Sequence, residues 1–330
     1  MIFRQTENFH TKAKYLSNYN NFWVLQNVDP VIQQLNAINR KKNAKSIVTY
    51  DFSTLYTKIP HDKLITRLFK VIDFAFEGGD KKCIRLSYNG DAFWGKKIRG
   101  KVGFCKSTLK TAVRHLIENS FFVVGNITMR QAIGIPMGIY PAPFWANLFL
   151  YTFEKEYIEH LIENDKIKAR HFHGTKRFID DLCAINDGGE FGKSYRDIYP
   201  EELELKVEHQ GNHASFLSLD INILNGRFVY KLYDKRDAFP FSIVRMPYLQ
   251  SNIPRSIFYS ALVGEFLRIA RSTLLLEDFV PKAKDLVNRM ISQGANPFLS
   301  KRHLRNIIGN HPSCFDQFGT DTEQLLSVIL

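Results

Sequence analysis

Apolar positions recur at helical spacing along much of the chain. Asp29-Pro30 followed by Val31, Leu35 and Ile38 predicts a capped helix, since proline suits a first helical turn and aspartate its N-terminus. Leu64, Leu68, Ile72 and Phe76 predict a helix over 61–76, stopped by Gly78-Gly79. Leu109, Val113, Leu116 and Ile117 share one side of another over 106–120, and a long apolar helix over 142–162 runs through Phe144, Leu148, Tyr151 and Tyr157. From about Ile253 the pattern is helical again. Phe258, Leu262, Phe266 and Ile269 form one face, Pro281 breaks the pattern, and Gly294 ends the next helix.

Between these stretches lie β-branched and aromatic runs. Ser46–Tyr50 reads as a buried strand that ends on Asp51. Residues 84–104 read as a hairpin around Asn89-Gly90, and Phe121–Val124 as a short strand before a Gly125-Asn126 turn. His171–Phe178 reads as a strand reaching Asp180, and Leu182–Ile185 as its continuation beyond Asp181, so two strands flank an acidic turn. Phe216–Ile223 and Arg227–Tyr233 pair across Asn225-Gly226. Strands set among helices, then an all-helical tail, make an α+β class.

The composition, 45% hydrophobic and 13% aromatic over 330 residues, is enough for a large core and argues against wholesale disorder. The net charge of +12 points to a polyanionic partner, nucleic acid before membrane. Cys83, Cys105, Cys183 and Cys314 are scattered with no CxxC pair, which argues against structural zinc and fits a reducing compartment. No apolar run is long enough to span a bilayer and no leader-like start is present, so the sequence reads as soluble and intracellular.

The candidate chemistry lies in Asp51 at a strand end and Asp180-Asp181 in a turn. Phosphoryl transfer uses two hard cations a few ångströms apart. Magnesium prefers carboxylate oxygens and keeps several waters, so two or three acids on stiff elements suffice.

Three segments in this order resemble the reverse-transcriptase family. Asp51-Phe52-Ser53-Thr54-Leu55-Tyr56 is similar to its first palm motif. Gly134-Ile135-Pro136-Met137-Gly138, with Pro141 and Ala146-Asn147-Leu148 after it, is similar to the loop and helix that cradle the incoming nucleotide. Arg177-Phe178-Ile179-Asp180-Asp181 is similar to the aromatic-x-Asp-Asp hairpin. Tyr56-Thr57-Lys58-Ile59-Pro60, Gln131 and Phe216–Ile221 most resemble the Penelope-like retroelements. Ala142-Pro143 stands where the family usually has Ser-Pro, and no clear upstream fingers motifs are seen.

The resemblance implies a right-hand polymerase of fingers, palm and thumb. Residues 1–45 become an N-terminal extension or partial fingers, 46–250 the palm with a fingers insertion at about 61–130, and 251–330 a helical thumb. It implies an RNA-directed DNA polymerase acting on an RNA template, a DNA primer and deoxynucleoside triphosphates. Two Mg2+ ions, replaceable by Mn2+, fall to Asp51, Asp180, Asp181 and the carbonyl of Phe52. Tyr56 becomes a gate against a 2′-hydroxyl, with Gln131, Met137 and Gly138 lining the nucleotide pocket. Lys41, Lys42 and Lys45 become candidates for the triphosphate.

Residues 231–305 hold thirteen Lys and Arg against six Asp and Glu. Lys231, Arg245, Arg255, Arg268, Arg271, Lys282 and Lys284 become candidates for the nucleic-acid backbone. Two alternatives stay open: a catalytically inactive, reverse-transcriptase-like nucleic-acid-binding protein, and an RNA-directed RNA polymerase or nucleotidyl transferase on the same palm.

Overall fold

The computed structural model describes residues 2, 22–77, 83–96, 102–241, 243–244 and 247–330. The predicted stop at Gly78-Gly79 and the candidate Arg245 lie outside the described residues. In chain order come helix α1 (Asp29–Arg40), strand β1 (Ile47–Phe52), the single turn α2 (Leu55–Lys58) and α3 (His61–Ala75). Strands β2 (Cys83–Leu86), β3 (Ala92–Gly95) and β4 (Gly103–Phe104) precede α4 (Lys106–Glu118) and the hairpin of β5 (Phe121–Val124) and β6 (Ile127–Arg130). Helices α5 (Ala142–Asn164) and α6 (Lys166–His171) lead to β7 (Lys176–Phe178), β8 (Asp181–Ile185) and α7 (Glu190–Ile198). Then follow β9 (Leu205–Gly211), β10 (His213–Phe216), β11 (Leu219–Leu224) and β12 (Arg227–Leu232). The chain closes with α8 (Arg255–Arg271), α9 (Leu276–Ser292), α10 (Pro297–Asn310) and α11 (Thr322–Ile329).

The chain divides into two compact units, Met1–Asn27 with Ser46–Glu208, and Val28–Lys45 with His209–Leu330. The first unit is built on a sheet of order β7-β8-β1-β9. Side chains alternate across a strand. Val48, Tyr50 and Phe52 of β1 and Leu182 and Ala184 of β8 therefore share the face that joins the core with α3 and α5. Tyr50 meets Phe191 of α7, and Phe52 meets Tyr199, each with ring centroids 4.8 Å apart. The intervening positions, Thr49 and Asp51 against Cys183 and Asp181, take the opposite face. Helix α5 opens behind Pro141 with Pro143 in its first turn, where a missing N–H costs nothing.

The second unit carries the sheet β10-β11-β12. Helix α1 is stitched to β12 by Asn39, whose Nδ2 donates to Phe228 O at 2.8 Å while its Oδ1 accepts from Phe228 N at 2.7 Å. Helices α8 to α11 enclose a separate core that includes Phe258, Leu262, Phe266, Phe279, Leu304 and Leu326.

Several expectations change. The helix expected to be capped at Asp29 begins at Asp29 itself, behind Val28 and with no side-chain cap. The strand expected from His171 is only Lys176–Phe178, because His171–Gly174 is helical, closing α6 and one 3-10 turn. The single strand expected over Phe216–Ile223 is a hairpin, turned at Leu217 with φ 54°. Pro281 does not break α9. An interior proline costs roughly 3 kcal/mol, and the buried face of Phe279, Ala283, Leu286, Val287 and Met290 outweighs it. Leu116 and Phe144, expected on buried faces, are about half exposed, at 52% and 53%. No helix among the described residues is long and apolar enough to cross a membrane.

Candidate active site

The antiparallel register of β1 and β8 sets Asp51 directly across from Asp181. Phe178 pairs with Asp181, so only Ile179 and Asp180 form the β7–β8 turn. Ile179 has φ 55°, in a position that two-residue hairpin turns ordinarily give to glycine or asparagine. Asp180 O accepts from Phe52 N at 3.2 Å, which ties the turn to the end of β1. Asp51, Asp180 and Asp181 are each half-buried. From the sequence Asp51 and Asp180 are the expected metal pair. In the sheet Asp181 is the residue opposite Asp51, and Asp180 is carried one step further on.

Tyr56 lies beside this turn. Burial, and after it the negative charge of Asp180, push its phenol pKa up. The backbone of Tyr56 also anchors the glycine loop. Ile135 N donates to Tyr56 O at 2.7 Å, and Gly134 N to Ile59 O at 2.8 Å. His61 Nε2 lies 2.8 Å from Gly134 O. Gly134 has φ 85°, and a Cβ there would clash with Tyr56 O. Glycine is therefore required twice over, by the backbone angle and by the close approach. Gly138 differs: its φ is 95°, but nothing lies within 4 Å of where a Cβ would be. Met137 is 75% exposed beside it. Gln131 holds the start of the loop, its N donating to Ser120 O at 2.8 Å and its Nε2 to Ile133 O at 3.0 Å.

The donor set suits magnesium. Carboxylates and the Phe52 carbonyl are hard oxygen ligands, and this ion needs few protein ligands because it keeps water. No group of three or more His, Cys, Asp or Glu side chains able to hold a metal ion is gathered among the described residues. The register sets Asp51 and Asp181 opposite each other, with Asp180 adjacent in the turn.

Sequence reasoning missed what supports the turn. Arg177 is fully buried and pairs with Glu154 of α5, also fully buried. Tyr199 donates its hydroxyl to Glu154 Oε1 at 2.8 Å. Burial, and then the Glu154 charge, push the Tyr199 phenol far up. The available signal was a glutamate within the long apolar helix, since an acid at such a position is rarely buried without a partner. His61 was missed as well, and no sequence signal distinguishes it from an ordinary first-turn residue.

The candidate cations fall in the second unit. Lys41, Lys42 and Lys45 are exposed in the segment after α1. Arg268 is engaged by Glu265 at 2.7 Å and Asp234 at 3.5 Å, Lys282 pairs with Asp237, and Lys231 lies 3.7 Å from Asp278. Arg271 donates to Cys314 Sγ at 3.3 Å. Arg255, Arg271 and Lys284 are exposed. Internal pairing therefore occupies part of the positive charge counted in this stretch.

No protein-family model matches the chain, and no curated protein matches it. Solved structures do. Telomerase from Candida albicans, in complex with a TWJ fragment of telomeric RNA, superposes with a TM-score of 0.64 at 11% identity, over 96% of this chain and 53% of that one. Apo telomerase from Candida tropicalis superposes with a TM-score of 0.51 at 14% identity, over 99% of this chain and 56% of that one. The chain spans about half the length of these telomerases, and at such identities the likeness is one of fold: a mixed helix-and-sheet architecture shared over nearly all of its residues.

Proposed function

We propose that this chain is the core of an RNA-directed DNA polymerase, arranged as a right hand and extending a primer by magnesium-dependent nucleotidyl transfer. The observation that carries this reading is the β1–β8 register, with Asp51 across from Asp181 and Asp180 in the adjoining turn. The shared fold supports it, because telomerase is itself a reverse-transcriptase-family enzyme. The motif variants around Tyr56, Gln131 and Phe216 favour a Penelope-like retroelement origin.

Asp51, Asp180 and Asp181 would hold the ions, with the Phe52 carbonyl beside them. The chemistry that a bound pair of Mg2+ ions supplies is activation of the primer hydroxyl and neutralisation of the leaving pyrophosphate. Tyr56 bears on the sugar of the incoming deoxynucleotide and disfavours a 2′-hydroxyl. Gly134 fixes the loop against Tyr56, while the unencumbered backbone at Gly138 and the exposed Met137 meet the nucleotide. Arg255, Arg271 and Lys284 face the phosphates of the primer–template.

A second reading, a nucleic-acid-binding protein without activity, is favoured by two observations: no metal-holding group of three acids is gathered among the described residues, and Ala142-Pro143 stands in place of Ser-Pro. One experiment separates the readings. The purified chain is given an RNA template annealed to a DNA primer, with Mg2+ and either dNTPs or rNTPs. Extension with dNTPs is expected, lost in Asp51→Ala and Asp180→Ala. Binding without extension in both Mg2+ and Mn2+ establishes the second reading, and extension with rNTPs alone makes the chain an RNA polymerase.

A further inference from the structure

Arg177 is placed so that its geometry is over-determined. Its backbone is clamped on one edge, Arg177 N donating to Trp23 O at 2.8 Å and Leu25 N donating to Arg177 O at 2.7 Å. Its side chain spends all five N–H donors inside the protein. Nε and Nη2 reach the two oxygens of Glu154, the latter at 3.1 Å. Nη2 also reaches Asn147 O at 3.1 Å, and Nη1 reaches Asn147 Oδ1 at 2.8 Å. The remaining Nη1 donor goes to Ile179 O at 2.9 Å. Only a guanidinium offers five donors in a rigid fork; a lysine has three and cannot span these acceptors together.

The consequence falls on Asp180. The carbonyl before it, Ile179 O, is held by Arg177, and its own carbonyl is held by Phe52 N. Both peptide groups that flank Asp180 are therefore anchored, one to α5 through a buried ion pair and the other to β1. With both planes fixed, the direction in which the Asp180 side chain leaves the backbone is fixed too. It also holds Ile179 at a positive φ that a β-branched residue does not adopt on its own.

We propose that the buried Arg177–Glu154–Asn147–Tyr199 network is the positioning device of the acidic turn: it sets the orientation of Asp180 by fixing the peptide group that precedes it. The proposal rests on the polymerase reading for its activity readout, but not for its structural one.

The test uses Arg177→Lys, which keeps the buried charge beside Glu154 but loses the fork. Amide hydrogen exchange is followed at Phe52, whose N–H reports the anchored Asp180 carbonyl. Asn186, whose N–H donates to Ser46 O at the far end of the β1–β8 pair, serves as the internal control. Exchange at Phe52 is expected to rise at least about tenfold in the variant, with Asn186 unchanged. In primer extension kcat is expected to fall at least about tenfold with the KM for dNTP within about twofold, as for a geometric defect that spares ground-state binding. Should Arg177→Lys not fold, the triple variant Arg177→Met, Glu154→Met, Tyr199→Phe removes the buried charges together and carries the same measurements.

Wild-type protection at Phe52 in a folded variant, an equal rise at Phe52 and Asn186, or an unchanged kcat overturns the proposal. If the wild-type chain extends no primer, the polymerase reading fails by itself, and the exchange at Phe52 still decides the positioning role.

Discussion

The turn between β7 and β8 and the turn between β11 and β12 solve one geometric problem with opposite chemistry. Each joins antiparallel strands through two residues and needs a positive φ. At the second, Asn225 (φ 50°) and Gly226 (φ 72°) adopt it with residue types that accept it readily. At the first, Ile179 (φ 55°) adopts it against its own preference, and a fully buried ion pair holds it there. A turn made of compliant residues is locally specified and needs little from the rest of the fold. A turn made against local preference exists only because surrounding structure imposes it, and such turns concentrate where function demands a particular geometry. Asp180 sits on the imposed turn, and Asp181 directly follows it.

The largest expected break in this comparison is Arg177→Met. It leaves Glu154 charged and buried without its partner, and chemical denaturation should show a loss of about 3–5 kcal/mol. Gly226→Ala comes next. Its Cβ would sit 2.9 Å from Lys42 O at a φ that alanine disfavours, so a loss of about 1–3 kcal/mol in thermal unfolding is expected. Exchanging the local chemistry of the two turns sharpens the contrast. Asn225→Ile should cost about 1–2 kcal/mol by importing the strain. Ile179→Gly should change stability by less than about 1 kcal/mol, since relief of strain offsets the loss of a half-buried side chain and the extra freedom of glycine in the unfolded chain. The smallest effect is electrostatic. Asp180→Asn removes a negative charge that disfavours the Tyr56 phenolate, so the phenol pKa should fall back toward its ordinary value while burial keeps it above. Spectroscopic titration of the tyrosines measures this.

Much of the molecule is legible as pattern. The 3.6-residue spacing of Leu64, Leu68 and Ile72 places α3, and the β-branched run before Asp51 places β1. Asn225-Gly226 announces its turn. The failures have physical causes. Helix α7 sets Phe191, Tyr195 and Ile198 at helical spacing, but it is only nine residues long, and Gly188-Gly189 before it and Gly192 within it read as loop. Pro281 reads as a breaker because propensity is local, whereas the buried face that overrides it forms only when α9 packs. Leu217 reads as strand interior because nothing about leucine signals a positive φ. In the candidate site, Asp51, Tyr56, Gly134, Asn147, Asp180 and Asp181 all lie in the ordered motifs, while His61, Glu154 and Tyr199 do not.

By itself, then, the sequence determined which residues are candidates for the chemistry and on which kind of element most of them sit, because periodicity and turn composition are local properties of the chain. Only the tertiary structure decided that Asp181 rather than Asp180 lies across from Asp51, that Gly134 must be glycine because Tyr56 O leaves no room for a Cβ, and that a strained isoleucine turn is held by a guanidinium whose partners lie 23 and 30 residues away. Register, close approach and buried pairing are relations between segments distant in sequence. They come into being only as the core closes and water is excluded from around the charges that must then find one another.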